Sequence, residues 1–288
     1  PDPKKINFFY NDQSSKKSGA IFVPNVPGVS PNEYYWLGDG FVNIDADSTI
    51  YIFAYRIINT EKKEGVLFNF KQLDLCLISI PKGSRPPFND QKQVIFPFYH
   101  VSDTAQSPIS FGSAIYVNTK SAGAPHPDGY IYVYGTKGGD KELMVARVQP
   151  ENFPEFNKWS FWNGKSWTNS IDSTAAIARE VSNEMSISPL PNGKLLMTYH
   201  LRSIEPEVAI QVGDSPVGPF GPVQKIWHTD EINEDDDFFT YNSKAHPHLS
   251  PPGSVLISYN VNSFDFANDI IDKPHLYRPR FLLLKLNE

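Results

Sequence analysis

Two acidic residues stand at matching points of a recurring pattern: Asp39 in WLGDGFVNI and Glu184 in EMSISPL. A pair of carboxyls brought to one place is the minimum machinery for glycoside hydrolysis. One protonates the leaving oxygen, and the other acts as base or nucleophile on the opposite face of the sugar. Lys244, in YNSKAHPHLS, falls in the same register, with His246 and His248 on the next alternate residues. Alternate residues share one face of a strand, so a basic stripe is expected there. Its cations would keep a neighbouring carboxylate ionised, whereas a more buried carboxyl would keep its proton. His248 lies further along and is read as a core histidine. Further candidates to touch a ligand are Ser113, whose pair Gly112-Ser113 stands in rough register with Asp39-Gly40, the rim aromatics Trp36 and Tyr241, and His200 and Arg202 in TYHLR.

Other chemistries find less support. No Ser-His-Asp order is convincing and G-x-S-x-G is absent. GTKGGDKE lacks the Lys-Ser/Thr of a phosphate-binding loop and reads as a hairpin turn. The run EDDD from Glu234 lacks alternate-ligand spacing and reads as a solvated loop. With one cysteine, Cys76 in LDLCLISI, the chain offers neither an internal disulfide nor zinc spacing. No metal and no cofactor are expected.

The elements that must position these residues are strands. Aromatic-rich strands recur four times: TIYIFAYRI from Thr49, GYIYVYGTK from Gly129, KLLMTYHLR from Lys194 and SVLISYNVN from Ser254. A turn precedes each (DADS, HPDG, PNG, PPG), and before each turn stands another strand: WLGDGFVNI, SFGSAIYVN, EMSISPL and AHPHLS. A third strand follows each: QLDLCLISI, ELMVARV, EVAIQVG and RPRFLLLKL. The first three units add a fourth: QVIFPFY, KWSFWN and PVQKIWH. A four-strand meander repeating every ~60–75 residues is the signature of a β-propeller blade. The chain is therefore read as all-β, a single β-propeller domain over 1–288 with four-stranded blades at 34–100, 106–168, 180–229 and 238–288. KINFFYN and GAIFVPN, within 1–33, are read as outer strands of a fifth blade or as the closing strand of the last. Five blades are expected, the first partly missing or completed from the N-terminus.

Composition bounds the partners. The 288 residues are 40% hydrophobic, enough for a large core, and 26 basic against 32 acidic residues leave a net charge of -6. That balance argues against nucleic acid or an anionic membrane as the main partner. No apolar run reaches the ~18 residues of a membrane span. An oligo- or polysaccharide partner and a monomeric chain are expected.

The phrases YYWLGDGFV, NEMSISPLPNGKLLMTYH, DSPVGPFGP, YNSKAHPHLS with LISYNVN, and YRPRF resemble a family of secreted five-bladed β-propellers of unknown function from Bacteroidetes-type bacteria. These are similar to the endo-D-arabinanase propellers, and more distantly to arabinanase-like and fructosidase-like hydrolases. The resemblance runs from about Tyr34 to Leu286 and implies a five-bladed ring, a carbohydrate ligand and a secreted, periplasmic or cell-surface location. In the characterised relatives two acidic residues on inner strands do the chemistry, one beside a Gly-Asp pair. Gly38-Asp39 is the matching pair here, on the first or the second blade. The functional expectation is a glycoside hydrolase using Asp39 and Glu184. The alternatives are a non-catalytic glycan-binding propeller of a polysaccharide-utilisation system and a protein-interaction scaffold.

Overall fold

The computed structural model describes residues 9, 19–61, 63, 67–99 and 108–286. The chain divides into two compact units, Pro1–Pro97 and Phe98–Glu288.

The first unit is a meander of β1 (Glu33–Val42), β2 (Ile50–Asn59), β3 (Phe70–Ile80) and β4 (Lys92–Ile95), neighbouring in chain order. Period-2 alternation puts Glu33 and Tyr35 on one face of β1. Tyr35 pairs with Arg56 of β2, and Arg56 pairs with Asp74 of β3. The Arg56 guanidinium donates from Nε to Asp74 at 2.9 Å and from Nη1 to Glu33 Oε2 at 2.6 Å and the Gly28 carbonyl at 3.2 Å. This charge is buried, so its partners are obligatory. Beside it Cys76 is fully buried, and burial pushes its thiol up to about 12. Structural cysteine is the consequence.

GAIFVPN forms no strand. Pro24 and Pro27 have no N–H to give a ladder. Residues 21–25 lie instead along β4 through side-chain amides: Gln91 donates to Ile21 O, Gln93 donates to Val23 O, and Gln93 Oε1 accepts from Asn25 N. KINFFYN lies outside the described residues apart from Phe9.

The second unit holds three sheets. The first runs β5 (Ile109–Asn118), β6 (Tyr130–Lys137), β7 (Glu142–Val148), β8 (Ser160–Trp162) and an unexpected short fifth strand, β9 (Trp167–Thr168). The second runs β10 (Met185–Pro189), β11 (Leu195–His200), β12 (Glu207–Gly213) and β13 (Gln224–His228). The third has β14 (Phe238–Ala245), β15 (Ser254–Ser263) and β16 (Arg280–Lys285), with a short helix, α1 (Phe266–Asp272), inserted before β16.

β11 is buried along its whole length. Leu195, Met197 and Tyr199 pack with Tyr134, Leu143 and Val145 of the first sheet, while Leu196 packs with Ile257 and Tyr259 of the third. On a strand covered on both faces a polar side chain can be satisfied only from within the protein.

Three inner strands carry a register shift at a similar point: Leu37/Gly40 in β1, Phe111/Ala114 in β5 and Tyr241/Lys244 in β14. Gly112 at φ 90° and Asn242 at φ 59° supply the left-handed turns, which Gly and Asn tolerate best. Bulges of this kind re-aim side chains.

The last inner strand corrects the sequence reading. AHPHLS is not a strand. β14 ends at Ala245, and Pro247–Leu249 is a 3-10 turn. Lys244, His246 and His248 therefore do not share a strand face. His248 is exposed in that turn rather than buried in a core. Pro247 cannot donate to a ladder, which ends the strand.

Asp74→Asn should lower the unfolding free energy by on the order of 3 kcal/mol, because the buried Arg56 charge loses one of its two carboxylates and keeps only Glu33. Arg202→Ala, which removes only exposed pairs to Glu180 and Glu205, should leave the urea midpoint near that of the parent protein. Equal midpoint losses for the two variants would contradict this account of the first unit.

Candidate functional site

In the second unit β10 lies between β5 and β14. Antiparallel pairing sets the start of each inner strand opposite the end of the next: Ile109 against Lys137, Met185 against Tyr199, Phe238 against Ser263. One end of these sheets thus gathers Lys141, Asn183, Glu184 and Tyr241.

Glu184 immediately precedes β10 and is half-buried. Its backbone N–H donates to Ser182 Oγ at 3.3 Å. Asn183 beside it is fixed by three bonds. Its Oδ1 accepts from Thr136 Oγ1 and from Lys141 Nζ, each at 3.0 Å, and its N–H donates to Ser203 Oγ at 3.2 Å. Burial raises the Glu184 carboxyl above the ordinary glutamate range. Lys244 first, and then the backbone, Lys141 and Ser182, pull the other way without cancelling it. Among the described residues no salt bridge closes on Glu184. Lys141 is itself pushed down by burial, with Glu184 opposing that shift. A raised carboxyl between two cations can give up a proton at a defined place and take it back, which is the work of a general acid.

Lys244 is positioned by its neighbours in β14. Ser243 Oγ lies 2.5 Å from His200 Nδ1, and Ala245 N donates to Ser186 Oγ of β10 at 2.8 Å. Both tie β14 to the second sheet on either side of Lys244. Ser243, not Lys244, occupies the bulge that Asp39 and Ser113 occupy in their own strands.

The model for DUF5005, a domain of unknown function, matches residues 4–285. The chain belongs to the DUF5005 family. No curated protein matches the sequence. Among solved structures, a provisionally named hydrolase from Bacteroides ovatus is similar at 18% identity and TM-score 0.65, over 94% of this chain and 69% of the other. A provisionally named exo-β-1,3-galactanase from Bifidobacterium bifidum is similar at 8% identity and TM-score 0.54, over 94% of this chain and 74% of the other. The exo-β-1,3-galactanase from Phanerochaete chrysosporium, solved with β-1,3-galactotriose, is similar at 11% identity and TM-score 0.51. That match covers 91% of this chain and 48% of the galactanase, so the chain spans about half of that enzyme's length. At such identities the likeness is one of fold: the DUF5005 chain is an all-β propeller.

The remaining candidates fall in different settings. Asp39 is in the first unit, half-buried in the β1 bulge, with Gly40 N–H donating to its Oδ1 at 2.9 Å. The next position admits only glycine, since a Cβ on Gly40 would meet Tyr51 O at 2.7 Å. Trp36 is exposed and edge-on to Phe70 at 4.4 Å. Ser113 is buried in its bulge and bonds weakly back to Ser110 O at 3.5 Å. His246 Nε2 lies 2.7 Å from Ser258 Oγ. Arg202 is held at the surface by Glu180 and Glu205.

His200 was expected to touch a ligand, but it is fully buried. Its Nε2 lies 3.1 Å from Thr240 Oγ1, which lies 2.6 Å from Thr229 Oγ1. The chain Ser243–His200–Thr240–Thr229 is an internal polar network joining two sheets, so the correction is from contact residue to strut.

Lys141 and Asn183 were missed from sequence. Lys141 sits in the GGDKE hairpin, and the signal was positional: that hairpin lies at the same sheet end as the inner-strand starts. A cavity of about 300 Å³ lies at the opposite end of the β10–β13 sheet, around Lys194, Asp214 and Phe220 of the DSPVGPFGP turn. Its only charges pair with each other, Lys194 Nζ to Asp214 Oδ1 at 3.0 Å. Among the described residues no group of three or more His, Cys, Asp or Glu side chains is placed to hold a metal ion. No helix among them is long and apolar enough to cross a membrane.

Burial pushes His200 down from 6.5 to about 3 in the folded chain. Between those values the unfolded chain binds the extra proton, so stability rises with pH and is lost as pH falls below about 6.5. The slope should reach at most about 1.4 kcal/mol per pH unit from this residue. Chemical denaturation of His200→Gln between pH 7 and 4 should show a lower starting stability and a shallower loss than the parent. Parallel curves would remove His200 as the titrating group.

Proposed function

We propose that this propeller acts on carbohydrate as a glycoside hydrolase, with Glu184 as general acid. The observation that carries the reading is Glu184: a half-buried carboxyl raised by burial, at the head of an inner strand, with Lys141 and Lys244 near enough to stabilise its conjugate base. A raised pKa keeps the acid protonated closer to neutral pH, where it can protonate a glycosidic oxygen. Asp39, held in its own bulge in the first unit, is the candidate that the sequence offers for the second carboxyl. The galactanase likeness in fold supports a sugar substrate without naming it. Because polysaccharides do not cross membranes unaided, the protein is assigned to work outside the cytoplasm. A fifth blade belongs to the same reading.

The test is a hydrolysis screen against plant and bacterial polysaccharides with the parent chain, Glu184→Gln and Asp39→Asn. Each substitution should cut turnover by about 100-fold or more, with retained binding. Cleavage by both variants at the parent rate would overturn the assignment. Binding without cleavage by the parent would favour the non-catalytic glycan-binding reading.

A further inference from the structure

The third sheet carries aromatic rings that its own core does not use. Phe239 stacks on Phe264 at 4.6 Å and is tilted against Tyr241 at 5.6 Å. Tyr277 meets Phe266 edge-on at 5.3 Å. Tyr241 links the two pairs: after burial, Tyr277 is the strongest influence on its phenol, and Glu184 acts on it too. The rings are not sealed. Tyr277 is 59% exposed, Phe264 40% and Phe266 39%. Hydrophobic side chains kept in water in a contiguous row mark binding surfaces.

The insertion between β15 and β16 builds this row. Residues 264–279 hold Phe264, α1 and Tyr277, whereas the matching connection in the first sheet of the unit is the short Gly138–Lys141 turn. α1 has no fully buried residue; Leu276 and, partly, Ile270 anchor the segment to the core of the third sheet, and its aromatic rings are left outward. Its surroundings are acidic. Asp265 accepts from Asn268, Asp269 accepts from Ser263, and Asp235 takes up Lys273 at 2.8 Å. Asp236, Asp237 and Asp272 add further negative charge. Arg278 is the cation of the segment left without a carboxylate partner among the described residues. An anionic polymer is disfavoured by that field.

We infer that the row Phe264–Phe239–Tyr241–Tyr277–Phe266 is an extended binding surface for a neutral oligosaccharide, leading from Glu184 along the third sheet. The inference rests on the carbohydrate reading of the Glu184 site. Sugar rings expose C–H faces that lie against aromatic planes, while their hydroxyls reach polar neighbours such as Asn262. A row of several rings selects for chain length, since a single sugar covers only one or two of them. Tyr and Phe offer this area at low conformational cost.

The experiment uses calorimetric binding to the full chain carrying Glu184→Gln, so that ligands stay intact. The probes are neutral galactose, arabinose and xylose oligomers from monosaccharide to hexasaccharide, with an oligogalacturonate as the anionic comparison. In that background Phe266→Ala with Tyr277→Ala should weaken the best hexasaccharide by about tenfold or more and leave monosaccharide binding unchanged. Tyr277→Phe should keep the affinity, which separates lost stacking from lost folding, and near-UV circular dichroism checks the fold directly. Hexasaccharide affinity equal to the background protein, tighter binding of the anionic oligomer, or no binding of any neutral oligomer each overturns the inference. Failure of the hydrolase reading is distinct: there Glu184→Gln still cleaves, whatever the ring variants do.

Discussion

The burial of β11 on both faces is the constraint on which the second unit depends. Leu195, Met197 and Tyr199 serve one sheet while Leu196, Thr198 and His200 turn toward the other, so no side chain of that strand is free to meet water. Apolar residues meet the condition by packing. A polar side chain there finds a partner only inside the protein: His200 finds Ser243 and Thr240, whereas Thr198 Oγ1 is buried without one among the described residues. The need to satisfy one histidine thereby holds β14 at a set height against β10 and β11. Ser186 confirms that height with its bond to Ala245.

The site follows from the same constraint. With Ser243 and Ala245 anchored, Lys244 between them is close enough to act on Glu184. On the other side Asn183 is held by Thr136 and Lys141, so Glu184 has fixed backbone neighbours and a cation from each adjacent sheet. Burial nevertheless dominates its carboxyl. A carboxyl in which desolvation outweighs two cations is protonated more readily than a free glutamate yet can ionise without a large penalty. The first unit solves its own burial problem differently, by spending Asp74 and Glu33 on Arg56, so those carboxylates are structural.

Much of this was legible in the sequence. The four aromatic strands, TIYIFAYRI to SVLISYNVN, stand where their alternation and preceding turns put them, because pairing and turn chemistry are local. What escaped was set by distant contacts. AHPHLS mimicked an inner strand by alternation, but Pro247 breaks it and the real strand, FFTYNSKA, was hidden by its bulge at Asn242-Ser243. GAIFVPN looked like a strand, but Pro24, with Pro27 just beyond it, makes the segment a strap. His200 ends a strand and looked accessible, since nothing in TYHLR tells that a second sheet covers it. Lys141 lay in a hairpin whose proximity to Glu184 depends on how two sheets pack.

The central claim is that burial outweighs the neighbouring lysines at Glu184 and holds its carboxyl above the ordinary range. Carbon-detected NMR titration of glutamate carboxyls measures this directly, with the Glu184 signal assigned by its loss in Glu184→Gln. The account predicts a midpoint above the ordinary value of about 4.3, and a still higher one in Lys244→Met. A Glu184 midpoint at or below the ordinary value, or one that Lys244→Met leaves unmoved, would contradict it.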